Sequence, residues 1–102
     1  MDMGALLKQA KKMQKDLAKT EAELKEKVYT ASVGGGVVKV EVSGKNEFTN
    51  IQIEESLLNK ENKEELQDMI LMAVNDALRQ MNEDKEKTMG ALTSGIKIPG
   101  VF

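Results

Sequence analysis

Apolar residues at alternating three- and four-residue spacing open the chain, and this pattern constrains the fold more than any other feature. Its members share one side of a helix: Met3, Leu6, Ala10, Met13, Leu17, Leu24 and Val28, with Thr20 filling the one gap. Neither Pro nor Gly interrupts the run after Gly4. We expect a helix over about residues 3–27, roughly 37 Å long. A small sheet cannot cover that length, so part of the helix must project or pack on a second copy.

Alternating residues after this helix predict a three-stranded antiparallel β-meander, with strands over about residues 28–33, 37–43 and 47–54. In the second strand, Val38, Val40 and Val42 share one face and polar residues take the other. Gly44-Lys45-Asn46 has the composition of a tight turn before the third strand. A sheet with one apolar face needs a helix as cover.

Three consecutive glycines, residues 34–36, join the first two predicted strands. A phosphate-binding loop places its glycines between a strand and a helix, and a Lys-Ser/Thr pair usually follows them. Here the glycines precede a strand, and Val37-Val38 follows them. We therefore interpret them as a turn that needs unusual backbone angles, and not as a nucleotide site.

A second helix is predicted over about residues 63–89, because a broad apolar stripe suited to a sheet runs through it. A tail over residues 90–102 follows, punctuated by Gly95, Pro99 and Gly100, and its apolar residues are expected to dock on a core. The pattern predicts one α+β domain over residues 1–102: a long helix, the β-meander and a second long helix. A chain of 102 residues buries little of its surface alone, which favours a homodimer.

The residue types that are missing exclude most catalytic chemistry. The chain has no Cys and no His, which rules out disulfides, thiol and histidine catalysis, and Cys/His zinc sites. The carboxylate pairs Glu54-Glu55 and Glu64-Glu65 stand where acidic residues complement a helix dipole. We expect no enzyme, no catalytic or metal-binding residue, no cofactor and no small-molecule substrate. With no apolar segment of membrane-spanning length, a cytoplasmic protein is expected.

Charge is unevenly distributed along the chain. The net charge is −2 and the isoelectric point about 5.2, yet residues 1–19 hold five lysines against two acids. In the predicted helix these lysines lie opposite the apolar stripe: Lys8, Lys11, Lys12, Lys15 and Lys19. An ordinary solvated face would have the same pattern. A face that binds nucleic acid without Arg or aromatic residues would contact phosphates and select sequence weakly.

Four segments resemble, in order and over essentially the whole chain, the YbaB/EbfC family of bacterial nucleoid-associated proteins. They are MGALLKQAKKMQKDL, GGGVVKVEVSGKNEFTNIQI with the EESLL that follows, DMILMAVNDALRQM and TMGALTSGIKIPGVF. The resemblance implies an intertwined homodimer whose helices project like tweezers. It also implies binding to double-stranded DNA through the helical arms, a location in the nucleoid, and a role in nucleoid organisation and gene expression.

Carried over by position, the resemblance assigns DNA contact to residues of the first helix: Lys8, Lys11, Lys12 and Lys15, with Gln9 and Gln14 as polar neighbours. Lys19, and in the second helix Arg79, Lys85 and Lys87, are weaker additions. Two other functions stay open at this point. One is an adaptor that recruits proteins to the replication or recombination machinery. The other is a prefoldin-like chaperone clamp, which needs the two helices of one chain to pair along their whole length.

Overall fold

The computed structural model describes residues 2–93, which form a helix, a three-stranded antiparallel sheet and a second helix. The elements are α1 (Met3–Glu26), β1 (Val28–Val33), β2 (Val38–Ser43), β3 (Phe48–Ile53) and α2 (Lys63–Thr93). Two single 3₁₀ turns, Glu55–Leu57 and Lys60–Asn62, lead from β3 into α2. The predicted α+β class and the order of its elements are thereby confirmed.

The second helix is longer than its pattern predicts. It continues to Thr93, past the predicted end near residue 89, with Gly90 in its interior. A helical glycine costs about 1 kcal/mol relative to alanine. Packing offsets that cost, because Met89 and Leu92 on either side of the glycine are half-buried. The predicted docking of the C-terminal tail concerns residues that lie outside the described range.

The core lies between one face of the sheet and α2. The sheet has the order β1-β2-β3, and Val40 of β2 pairs with Ala31 on one side and Ile51 on the other. Val38, Val40 and Val42 are at most 3% exposed. Across from them α2 contributes small side chains, Ala73 and Ala77, followed by Met81, all buried. The alanines let the helix approach the sheet closely, and the valines gain about 1.5–3 kcal/mol each from burial.

α2 covers only part of this apolar face. It packs on β1 and β2, while the β3 side stays open. Phe48 is 47% exposed and Ile51 50% exposed, although both belong to the face that carries the core valines. An apolar groove runs between these residues and Val74 of α2, which is half-buried.

The glycine run forms the turn between β1 and β2. All three glycines have positive φ, at 63°, 75° and 100° for Gly34, Gly35 and Gly36. The Gly36 amide donates to the Val33 carbonyl at 3.1 Å, which closes the turn. Side chains strongly disfavour this left-handed region, so three such residues in succession require glycine. The interpretation of the run as a turn is confirmed.

Much of α1 projects away from the body. Leu24, close to its C-terminal end, is its single buried residue, and every residue from Asp2 to Lys12 is exposed. The radius of gyration is 20.2 Å and the molecule measures 70 × 25 × 16 Å. A compact chain of this size would have a radius of gyration of about 13 Å. The sheet and the first part of α2 are therefore the body, and α1 with the end of α2 forms an arm.

No helix in residues 2–93 is both long and apolar enough to cross a membrane. Within the same range, no three His, Cys, Asp or Glu side chains are grouped so that they could hold a metal ion.

Candidate nucleic-acid interface

Five lysines share one exposed face of the arm, which we call the lysine face: Lys8, Lys11, Lys12, Lys15 and Lys19 of α1. A helix turns by about 100° per residue, which places all five within about 100° of arc. Met13, Leu17 and Leu24, which are half-buried or buried, lie on the other side of the helix. The lysine face extends about 16 Å along the axis.

None of these five ammonium groups has a protein partner among the described residues. The ion pairs in that range join Lys27 to Asp84, Lys45 to Glu26 and Arg79 to Asp76. Asp16 is the one acidic residue between Lys8 and Lys19, and it is half-buried at the margin of the face. A row of unpaired ammonium groups on an exposed helix attracts anions, and its field is local in spite of the negative net charge.

The other predicted contact residues are placed less uniformly. Gln9 and Gln14 are exposed and flank the lysine face on opposite sides. Lys87 is exposed near the end of α2. Lys85 is half-buried at the base of the arm, where its Nζ donates to Asn46 Oδ1 at 3.4 Å.

Arg79 differs from the rest, since it belongs to the body. It lies on the side of α2 away from the buried Ala77 and Met81. Its guanidinium pairs with the Asp76 carboxylate one turn earlier. That contact lowers the pKa of Asp76 and raises the pKa of Arg79. The structure thus brings together the five lysines of α1 and sets Arg79 apart from them.

A polar cluster joins the arm to the body where α1 passes into β1. The Tyr29 hydroxyl donates to Asp84 Oδ2 at 2.5 Å, and Lys27 Nζ donates to the same oxygen at 2.9 Å. Thr88 donates to Asp84 Oδ1 at 3.5 Å. The Tyr29 hydrogen bond, followed by that from Lys27, lowers the pKa of Asp84. Burial, and after it the contact with Asp84, raises the pKa of Tyr29 to about 12.

Replacing Asp84 by alanine is expected to lower the free energy of unfolding by about 1–3 kcal/mol at pH 7, because the Tyr29 hydroxyl loses its acceptor. The carboxyl pKa is depressed in the folded state, so the stabilisation is present above its ordinary value of about 3.9. It is lost as the pH falls through the folded pKa. Urea unfolding of both proteins at pH 7 and pH 3 measures the difference.

Tyr29→Phe provides the control, since it removes the hydroxyl and leaves the Lys27 ion pair. We expect it to lose less stability than Asp84→Ala. The raised pKa of Tyr29 also predicts that the contribution of this residue is present below pH about 10 and lost as the pH rises towards 12. A difference between wild type and Asp84→Ala that does not change between pH 7 and pH 3 would contradict this account.

Two lysines near the base of the arm were not among the predicted contact residues. Lys25 and Lys45 are both exposed, and with Lys85 they line one cleft. Lys25 was not predicted as a contact because helical spacing places it outside the lysine face. Lys45 was not predicted because this residue belongs to a predicted turn. Tyr29 and Asp84, in the polar cluster between the arm and the body, are 55 positions apart. No pattern in the sequence connects them.

The family model described as the YbaB/EbfC DNA-binding family matches residues 1–96. A protein of Alkaliphilus metalliredigens named as nucleoid-associated is 48% identical over 99% of this chain and 89% of its own length. A nucleoid-associated protein of Clostridium novyi is 43% identical over 100% of this chain and 90% of its own length. The crystal structure of an uncharacterised Helicobacter pylori protein aligns with a TM-score of 0.74 at 30% identity, covering 90% of this chain and 97% of that one.

Proposed function

The chain belongs to the YbaB/EbfC DNA-binding family, and on that premise we propose that it is a nucleoid-associated homodimer that binds double-stranded DNA through the lysine face. One observation carries the proposal: a projecting helix exposes five lysines that have no protein partner within residues 2–93, and the apolar residues of that helix lie on its other side. The names of the relatives, which are nucleoid-associated proteins, support a location on DNA in the nucleoid.

The mode of binding follows from the chemistry of the face. An ammonium group is a compact point charge that neutralises a phosphate without reading a base edge. The lysine face has no Arg for bidentate contact with guanine and no aromatic ring for stacking. Its length of about 16 Å spans about five phosphates of one strand, at about 3.4 Å of helix axis each. Binding is therefore electrostatic, weakly selective for sequence and strongly dependent on salt.

The test is fluorescence anisotropy with a 30-base-pair duplex of random sequence across a salt series. We expect saturable binding whose log affinity falls linearly with log salt, at a slope of about −0.9 for each phosphate neutralised. The five lysines of the lysine face contribute at most about −4.5 to this slope for each chain. No binding at low salt would overturn the proposal and favour the adaptor function.

The chaperone-clamp alternative requires the two helices to pair along their whole length. In the described residues, α2 packs on β1 and β2 over its first part, and α1 has its one buried residue close to its C-terminal end. Met3, Leu6 and Leu7 in the first turns of α1 are nevertheless exposed, and such apolar side chains are what a client protein would contact. Suppression of client aggregation in the absence of DNA would favour the clamp.

The open side of the sheet supports dimerisation. Phe48 and Ile51 are about half exposed beside Val74, and the helical spacing places the 61%-exposed Leu71 on the same side of α2 as Val74. Contiguous apolar surface of this kind marks an interface in a soluble protein. A second copy related by two-fold symmetry would cover the same patch on both chains.

Replacing Ile51 by glutamate is expected to weaken the dimer at least tenfold, which corresponds to about 1.4 kcal/mol. The reason is that each copy would bury an unpaired carboxylate in the interface. Size-exclusion chromatography with light scattering over a concentration series measures the dissociation. Gln52→Glu is the matched control, because Gln52 is the next residue of β3 and lies on the opposite, polar face. Equal behaviour of the two variants, or a monomeric wild type, would contradict this interface.

A further inference from the structure

The cleft at the base of the arm lies between α1, the turn from β2 to β3, and the end of α2. Its volume is about 560 Å³, and three lysines reach it from these three elements: Lys25, Lys45 and Lys85. Leu24 and Met89 contribute apolar wall. The tertiary structure alone brings these three lysines, 20 and 40 positions apart in sequence, to the wall of one cleft.

The charges around this cleft favour an anion. Glu21 is the acid among its lining residues, and Glu26 lies 3.9 Å from Lys45 Nζ in a pair whose side chains are 54% and 79% exposed. Such an exposed pair contributes little and leaves the lysine able to exchange partners. Lys25 has no partner among the described residues. Apolar walls beside the ammonium groups strengthen the field within the cleft.

Asn46 adds a neutral donor at the same place. It has the positive φ of 65° that the tight turn requires, and its Oδ1 accepts a hydrogen bond from Lys85. Because the oxygen of the amide already accepts this hydrogen bond, the group that Asn46 can offer to a ligand is its Nδ2 amide, which is a donor. Lysine ammonium groups together with an amide N–H are the donors that a phosphate oxygen accepts from.

The cleft is continuous with the lysine face along α1. Ala18 and Ala22, both exposed, lie between Lys15 and Lys25 on adjoining turns of one side of the helix. Their small side chains leave room for a sugar-phosphate strand to run along the helix. From Lys11 to Lys25 the axial distance is about 21 Å, or about six base-pair steps at about 3.4 Å each. One straight duplex is long enough to reach both.

From this arrangement we infer that the cleft formed by Lys25, Lys45, Lys85 and Asn46 is a second phosphate-binding site, which holds the DNA backbone at the base of the arm. The inference rests on the proposed function, since it extends the same footprint from the outer helix to the body. The site fixes the direction of the duplex relative to the body, because contact at two places along α1 removes the freedom to pivot about the arm.

The first test compares Lys25→Gln/Lys45→Gln with Lys60→Gln/Lys63→Gln in the salt series with the 30-base-pair duplex. Both variants lose two positive charges, and all four lysines are exposed. Lys63 is the first residue of α2, about 33 Å along the helix axis from Lys85, and Lys60 lies in the 3₁₀ turn just before it. We expect the cleft variant to reduce the magnitude of the slope by about 1.8 for each chain, and the control to leave it unchanged.

The second test uses the absence of cysteine in this chain. A thiol-coupled photo-crosslinker placed by Lys45→Cys is expected to join the duplex, while the same reagent at Lys60→Cys is not. Inorganic phosphate titrated into the free protein, followed by the Asn46 side-chain amide signal in NMR, distinguishes a free anion from the DNA backbone. Saturable binding of inorganic phosphate with no crosslink at position 45 would overturn the inference.

The outcomes separate the two proposals. Binding by wild type with equal slopes for the cleft variant and its control would overturn the second site and leave the lysine face intact. Loss of wild-type binding altogether would overturn the proposed function itself. A reduced slope for the cleft variant alone, together with the crosslink at position 45, supports the second site.

Discussion

Replacing Lys11 and Lys15 together by glutamate is expected to weaken DNA binding by at least about 60-fold in 0.1 M salt. Each phosphate contact contributes about 0.9 to the slope of log affinity against log salt. Two lost contacts in one chain therefore remove about 1.8 from the gain in log affinity between 1 M and 0.1 M salt, which is a factor of about 60. The introduced carboxylates also repel the backbone, and a dimer that uses both arms loses twice as many contacts. This is the largest functional effect that the structure predicts for two substitutions.

Stability should be nearly unaffected in the same variant. Both lysines are exposed and without a protein partner among the described residues, and surface substitutions of this kind usually change stability by less than about 0.5 kcal/mol. The two positions lie one turn apart, so the wild-type helix places like charges side by side. Urea unfolding and anisotropy on the same preparation measure stability and affinity separately.

Lys60→Glu with Lys63→Glu is the matched control, since it makes the same change in net charge on the body. We expect it to change affinity only modestly through the long-range field, which salt screens over about 10 Å at 0.1 M. Equal weakening by the two variants would mean that net charge, and not the lysine face, governs binding. Parallel loss of folding and binding in the arm variant would count equally against the assignment.

Replacing Gly44 by alanine is expected to cause the largest loss of stability, about 3 kcal/mol or more, out of a total of about 5–15 kcal/mol for a small domain. A Cβ on Gly44 would lie 1.8 Å from the carbonyl oxygen of Leu24 and 2.7 Å from its carbonyl carbon. Both are backbone atoms at the end of α1 that no rotamer change can move. The Gly44 amide also donates to the Lys27 carbonyl at 2.8 Å, which holds the turn against the helix.

In the variant the turn must therefore move away from α1, and the contact that holds the end of α1 against the body is lost. Urea denaturation gives the loss of stability as a lower midpoint at similar slope. Gly90→Ala is the control, because nothing lies within 4 Å of a Cβ at that helical position. We expect it to stabilise the protein by up to about 1 kcal/mol. A Gly44→Ala protein with wild-type stability would show that the helix end and the turn are not held in contact.

The elements of the fold follow from local patterns. The three- and four-residue spacing in α1 predicts its helix and places the lysines opposite the apolar residues. Alternation around Val38, Val40 and Val42 predicts β2 and its buried face, and the glycine run predicts a turn. The end of α2 differs from the prediction, because the intrinsic preference of glycine against a helix suggests an end near Gly90, whereas the helix continues to Thr93 and half-buries Met89 and Leu92.

The sequence by itself therefore determined the helices, the meander and the lysine face, since each depends on a period within one segment. Only the tertiary structure decided how the arm is attached and what lies at its base. Asp84 meets Tyr29, the Gly44 turn meets the end of α1, and Lys25, Lys45 and Lys85 converge on one cleft. These contacts join residues from about 20 to 60 positions apart, and their geometry is set by how the sheet packs against two helices. No periodicity within a single segment contains that information.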